Sequence, residues 1–203
     1  MKNIFKFMGI ALMACSLTMV SCNKDKDDEG GSTAANTATV NFGGNEWEAT
    51  VGQASAANYA QYGIVQYMLF KTEGNYPAVN LMISGNPGSY SATSEVGEAE
   101  PDDNFPNGYN YYSWGGGYDL YRVDYLNSGA VQTQQGVRGD WAAKSAELTV
   151  SAFDANSMTA SFNLTAVMYD FAGWYNGNFD DATDAEEKNL TVNVNEYTFT
   201  AAQ

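Results

Sequence analysis

Histidine is absent from this chain of 203 residues. Without an imidazole, the protein has no Ser-His-Asp or Cys-His nucleophile system and no histidine-ligated zinc or iron site. Cysteine occurs only at Cys15 and Cys22, and proline occurs 4 times. Two cysteines so close to the N-terminus cannot provide a disulfide framework for the rest of the chain. Any catalysis would therefore have to rest on carboxylates.

Positive charge is also scarce. The chain has 9 Lys and Arg against 24 Asp and Glu, which gives a formal net charge of −15. A nucleic-acid-binding protein needs a basic face that neutralises phosphates. We therefore expect no nucleic-acid partner. Aromatic residues and glycine are abundant instead, with 14 Tyr, 10 Phe, 4 Trp and 20 Gly.

The N-terminus has the pattern of a lipoprotein signal peptide. Lys2 and Lys6 precede an apolar stretch at 7–20, which is long enough for a secretory segment and shorter than the roughly 20 residues of a stable membrane span. A small residue followed by Cys22 at the end of this stretch resembles the lipobox of bacterial lipoproteins. The resemblance implies that 1–21 is the signal peptide and that Cys22 is the lipidated first residue of the mature chain.

Two alternatives to this cleavage site remain. Cys15 also fits a lipobox locally, but cleavage there would leave the apolar residues 17–20 on the mature N-terminus. The other alternative is an ordinary signal peptide in which Cys22 is incidental. If Cys22 carries palmitate and Cys15 is removed with the signal, the mature domain contains no thiol.

A charged run follows Cys22 and resembles the lysine-plus-acidic export signal of Bacteroidota surface lipoproteins. The resemblance implies an outer-membrane protein that is anchored by lipid and faces the cell exterior. The alternative is a solvated tether without an export role, because such a run is disordered in either case. With the Gly-Gly-Ser stretch that follows, residues 22–36 are predicted to form a flexible acidic tether. The export-signal residues are Lys24, Asp25, Asp27, Asp28 and Glu29.

Residues 37–203 are predicted to form a single all-β domain. Apolar and polar residues alternate in many short runs, such as Leu148-x-Val150 and Phe162-x-Leu164-x-Ala166, and turn signals separate the runs. This pattern predicts an antiparallel β-sandwich or β-barrel of about 8–10 strands with little or no helix. Gly44-x-x-Trp47-x-Ala49 resembles the start of small Bacteroidota lipoprotein domains that have no assigned chemistry. We expect a monomer.

Two aromatic segments are candidate binding surfaces. The first, at 105–125, surrounds a Gly-Gly-Gly sequence, and the second, at 169–179, follows a long predicted strand. Aromatic faces suit the C–H faces of sugars, and amides and carboxylates suit their hydroxyls. The alternatives are cross-strand aromatic pairs for the first segment and, for the second, Phe171 and Trp174 folded back over the core. The candidate ligand-binding residues are Tyr109, Tyr111, Tyr112, Trp114, Tyr118, Trp174, Tyr175 and Asn176.

Acidic residues near the second segment imitate part of a calcium-binding EF-hand loop. Asn176, Asn178, Asp180 and Glu187 have a similar spacing, but the first position is Asn and Asp181 stands where glycine is needed. A solvated loop is the favoured interpretation, and no cofactor or metal is expected. The tripeptide Arg138-Gly139-Asp140 matches an adhesive motif, but three-residue matches arise readily by chance.

The sequence therefore predicts a lipid-anchored cell-surface protein without catalytic activity. Its aromatic loops would bind an extracellular glycan or a protein. One alternative is a structural or adhesive envelope protein that binds no small ligand. A second alternative is a glycoside hydrolase with two carboxylates in a groove.

Overall fold

The computed structural model describes residues 36–55, 62–73, 75–98, 110–114, 119–133, 136–177 and 184–202. These residues form twelve strands and one α-helix. In chain order the elements are β1 (Thr37–Phe42), β2 (Asn45–Glu48), β3 (Val51–Ser55), β4 (Ile64–Thr72), β5 (Asn75–Ser84), β6 (Gly88–Glu98), β7 (Asn110–Trp114), β8 (Leu120–Thr133), β9 (Gly136–Asp154), β10 (Thr159–Asp170), α1 (Phe171–Tyr175), β11 (Glu187–Thr198) and β12 (Thr200–Ala201).

Hydrogen bonding joins the strands into one sheet in the order β12-β3-β4-β5-β8-β9-β10-β11-β1-β2. The pairs are antiparallel except for β3 and β12, which run parallel. The long strand β9 pairs with β10 along most of its length, while its first part also pairs with β8 and its second part with β6. Strand β7 pairs with β6 beside this path. The predicted all-β fold with little helix is confirmed, and the predicted antiparallel pairing holds for every pair among the described strands except β3 with β12.

The sheet curls around one apolar core. Phe42 on β1 stacks on Tyr125 of β8 with ring centroids 3.8 Å apart, although three strands separate β1 from β8 in the sheet. The ring centroid of Tyr67 on β4 likewise lies 5.0 Å from that of Phe162 on β10. Such contacts require the inner faces of distant strands to face each other. Alternation decides which residues point inward, as on β10, where Phe162, Leu164 and Ala166 are buried.

Strands β1 and β2 form the first hairpin. Gly43 and Gly44 adopt φ values of +57° and +86°, a left-handed conformation that glycine reaches without a steric penalty. Trp47 on β2 is 6% exposed and belongs to the core. The turn at 154–157 also forms, because the Asp154 carboxylate accepts hydrogen bonds from the Asn156 N–H and the Ser157 hydroxyl.

A second, smaller apolar cluster lies apart from this core. Its buried members are Ala142 of β9, Tyr169 of β10, Phe171 of α1 and Ala185. Val131, Trp174 and Tyr175 pack against it. The cluster thus joins helix α1 to the hairpin that the end of β8 forms with the start of β9.

Candidate functional site

An irregularity in strand β8 forms one wall of a cleft. The register passes from Tyr125 opposite Trp141 to Ala130 opposite Gly139, so residues 126–129 of β8 lie opposite Asp140 alone. We call residues 126–129 the β8 bulge. The Asp140 carboxylate accepts hydrogen bonds from the backbone N–H groups of Asn127 (2.7 Å) and Ser128 (3.1 Å). Asp140 therefore satisfies donors that the interrupted ladder leaves without a strand partner.

Helix α1 forms the opposite wall. Asp170 is its N-cap, and the carboxylate accepts a hydrogen bond of 2.8 Å from the Gly173 N–H. At the other end, the Asn176 N–H donates to the Ala172 carbonyl, and Gly177 follows with a φ of +78°. The structure thus places a short helix where the sequence predicts a loop. Five helical residues are too few for a helical period to be visible in the sequence.

The two faces of α1 have different surroundings. Phe171 is buried in the second apolar cluster, and the Trp174 and Tyr175 rings lie 5.8 Å and 5.7 Å from it between centroids. Ala172, Gly173 and Asn176 line the cleft instead. Consequently, the helix turns its aromatic side toward the cluster and its small and polar side toward the cleft.

Between these walls lies an open cleft of about 490 Å³. This volume falls within the range of about 300–1,000 Å³ that is usual for small-molecule sites. Its chemistry is that of hydrogen-bonding groups, because carboxylates, amides and a hydroxyl predominate among the lining side chains. The lining residues are Asn127, Ser128, Gly129, Ala130, Val131, Asp140, Trp141, Asp170, Ala172, Gly173 and Asn176.

An ion cluster around a buried carboxylate joins β8 and β9, two of the strands that contribute to the cleft. Asp124 on β8 is completely buried and pairs with Arg122 and with Arg138, whose Nη2 lies 2.8 Å from Asp124 Oδ1. Burial alone would raise the pKa of Asp124, but the two guanidinium charges and their hydrogen bonds outweigh it and lower the pKa below its usual range. Arg138 also lies 5.3 Å above the centroid of the Phe171 ring. It therefore connects β8, β9 and α1, the elements that form the cleft.

The predicted residues of the second aromatic segment are separated by this arrangement. Asn176 lines the cleft, whereas Trp174 and Tyr175 pack, half-buried, on Phe171. Trp174 thus contacts Phe171 in the second apolar cluster, which is separate from the main core over which the alternative interpretation expected it to fold.

Within the first aromatic segment, residues 110–114 form strand β7, which pairs with β6, while residues 120–125 belong to β8. In the register of this pair, Tyr111 is opposite Gly97, Tyr112 is opposite Val96 and Trp114 is opposite Ser94. The candidate residues Tyr109 and Tyr118 lie outside the described residues.

The partial EF-hand spacing is only partly described. Asn178 and Asp180 lie outside the described residues, while Glu187 begins strand β11 and forms an ion pair with Lys144. Within the described ranges, no group of three or more potential metal-ligating side chains comes together.

The predicted anchor and export signal also lie outside the described residues, since Cys22, Lys24, Asp25, Asp27, Asp28 and Glu29 precede residue 36. Among the residues that the structure does describe, none belongs to a helix long and apolar enough to cross a membrane.

The tripeptide at 138–140 has roles within the fold. Arg138 binds Asp124, Asp140 holds the β8 bulge, and a Cβ on Gly139 would lie 2.6 Å from the Tyr125 carbonyl oxygen. Sequence reasoning missed Asp124, Asp140 and Asp170 as organising residues of this region. Asp170 is of a residue type that is preferred at a helix N-cap, which is the signal that could have indicated the start of α1.

Comparison of the chain with protein-family models, with curated proteins and with solved structures finds no match.

Proposed function

We propose that this chain is a lipid-anchored protein of the bacterial outer membrane that binds an extracellular glycan at the cell surface without chemically altering it. The glycan would enter the cleft between the β8 bulge and α1. Asn127, Ser128 and Asn176 would hydrogen-bond its hydroxyl groups. The exposed parts of the half-buried Trp174 and Tyr175 would provide further contacts outside the cleft along a longer chain. So would the candidate residues of the first aromatic segment, which are Tyr109, Tyr111, Tyr112, Trp114 and Tyr118.

The observation that carries this proposal is the set of polar groups in the cleft and the way in which they are held. Two amides, a hydroxyl and two carboxylates converge on a space of ligand size. Their backbones are fixed by the bulge and by the helix cap. Preformed hydrogen-bonding groups of this kind are what recognition of a polyhydroxylated ligand needs.

The roles of the two carboxylates support binding rather than catalysis. Asp140 accepts from two backbone N–H groups and from the Ser128 hydroxyl at 3.3 Å, and Asp170 caps α1. A general acid or base must exchange a proton with a substrate during the reaction. Protonation of either carboxylate would weaken hydrogen bonds that shape the cleft.

The surface location rests on the N-terminal pattern. Lipid on Cys22 would anchor the chain, and the acidic run after it would direct the chain outward. Protease added to intact cells should remove the domain from the wild type. Replacing Asp27, Asp28 and Glu29 by alanine should protect the domain by leaving it on the periplasmic side. Survival of the wild-type domain under protease would contradict the surface location.

The binding function is tested on a glycan array with the lipidated full chain in detergent. The wild type should bind at least one polysaccharide, and Ser128→Ala and Asn176→Ala should each weaken that binding about tenfold, since each removes a hydrogen-bonding group from the cleft. Asn193→Ala is the matched control, because Asn193 is exposed on β11 and does not line the cleft. Binding to envelope proteins but to no glycan would overturn the proposal.

A further inference from the structure

We infer that the ligand of the cleft is a neutral glycan, and that sugars carrying carboxylate or sulfate groups are excluded from it. This inference rests on the proposed function and specifies the class of glycan. It follows from the sign and the placement of the charges around the cleft.

Negative charge lines the cleft, and no positive charge accompanies it among the described residues. Asp140 and Asp170 lie on opposite walls, and the other lining side chains are uncharged. An anionic group of a ligand would bring a third negative charge into a space between two carboxylates. At separations of a few ångströms, like charges repel by about 1 kcal/mol or more even in water.

The cations of the neighbouring strands already have anionic partners. Arg122 and Arg138 both pair with the buried Asp124. Lys188 lies 3.2 Å from a carboxylate oxygen of Glu186 and 4.3 Å from the centroid of the Trp141 ring. Turning one of them toward an anionic ligand would break its present pairing. For Arg122 or Arg138 the break would remove one of the two guanidinium groups that hydrogen-bond the buried Asp124.

A neutral sugar fits the same groups well. A carboxylate accepts hydrogen bonds only, and each of its oxygens has more than one acceptor site. Asp170 Oδ1 takes the Gly173 N–H and Asp140 takes the donors of the bulge, which leaves acceptor capacity for the hydroxyl groups of a ligand. Hydroxyl donors to ionised acceptors form strong hydrogen bonds, whereas a ligand carboxylate or sulfate would offer only more acceptors.

The test uses oligosaccharide pairs that differ only in charge. Uronic-acid oligosaccharides of gluco, manno and galacto configuration are each compared with their carboxyl-reduced neutral forms, with the lipidated full chain in detergent and titration calorimetry as the readout. At least one neutral form should bind, and its acidic counterpart should bind at least about tenfold more weakly at low salt. Screening by about 0.5 M NaCl should reduce this difference.

Neutralising a cleft carboxylate supplies the matched variants. Asp170→Asn should reduce the preference for the neutral form about threefold, because asparagine still caps α1 but carries no charge. Glu147→Gln makes the same charge change on an exposed residue of β9 outside the cleft, and it should leave the preference unchanged.

The outcomes separate this inference from the proposed function. Equal or tighter binding of an acidic form that Asn176→Ala weakens would overturn the neutral-ligand inference and leave glycan binding in the cleft intact. Binding of a neutral form that neither Asn176→Ala nor Asp170→Asn alters would place the ligand elsewhere and overturn the inference. Absence of binding to every oligosaccharide here and on the array would overturn the proposed function itself.

Discussion

Replacing Asp124 by asparagine keeps the size of the side chain but removes the charge that pairs with Arg122 and Arg138. Removing one partner of a buried ion pair usually costs about 3–5 kcal/mol of stability. We expect about 3 kcal/mol here, because the two arginine side chains are 21% and 36% exposed and recover part of their hydration. For a domain of this size, that loss lowers Tm by about 6–12 °C.

The stabilisation by the Asp124 charge should depend on pH. The pKa of Asp124 is lowered in the folded state, so its charge contributes stability above the pKa of the unfolded chain, about 3.9. That contribution is lost as the pH falls through the folded pKa. The difference in the free energy of unfolding between the wild type and Asp124→Asn should therefore have its largest value near pH 7 and decrease steadily below about pH 4.

Urea unfolding followed by tryptophan fluorescence measures both effects. Asp119→Asn is the matched control, because Asp119 is exposed just before β8. The reasoning is refuted if Asp124→Asn destabilises the protein no more than Asp119→Asn does. It is equally refuted if the full difference from the wild type persists at pH 2.5.

Three further predictions concern packing and the anchor. Gly139→Ala should lower the free energy of unfolding by about 1–3 kcal/mol, because the new Cβ would lie 2.6 Å from a backbone oxygen. Gly129→Ala is the control and should be tolerated, because no atom lies within 4 Å of its Cβ position. Thermal unfolding compares the two variants. Trp47→Ala should lower the free energy of unfolding by about 3–5 kcal/mol, since Trp47 is buried in the core. Trp174→Ala should lower it by less than half as much, because Trp174 is only half-buried. Urea unfolding measures both losses, and equal losses would contradict this difference. Cys22→Ala should abolish labelling of cells with a clickable palmitate, and persistence of the label would exclude Cys22 as the lipidation site.

Sequence alternation predicted most of the fold because the inner and outer faces of a strand differ in polarity. On β8, the pattern Tyr121-x-Val123-x-Tyr125 correctly indicates Val123 and Tyr125 as core residues, whereas Tyr121 is exposed. The same pattern gives Asp124 a position on the opposite face, where an acidic residue is expected to meet solvent. In the structure that residue is completely buried between two arginines, one of which comes from β9. The pairing joins residues 14 positions apart, and no local pattern encodes it.

The candidate site was predicted only in part, for a related reason. Richness in Trp, Tyr, Gly and Asn drew attention to residues 169–179, and Asn176 does line the cleft. The opposite wall is the β8 bulge, four residues that interrupt the register with β9, and Asp140 accepts hydrogen bonds from the N–H groups of two of them. A bulge depends on the register between two strands, and a single sequence does not show register. The separation of Trp174 from the cleft likewise depends on the short helix.

Hydrogen–deuterium exchange of the lipidated full chain, with and without the neutral glycan that binds best, tests the central claim most directly. The account predicts slower exchange at residues 126–131 and 170–177, the two walls of the cleft, with little change in the first hairpin at 37–48. Protection confined to other segments, or no protection at saturating glycan, would contradict the assignment of this cleft as the binding site.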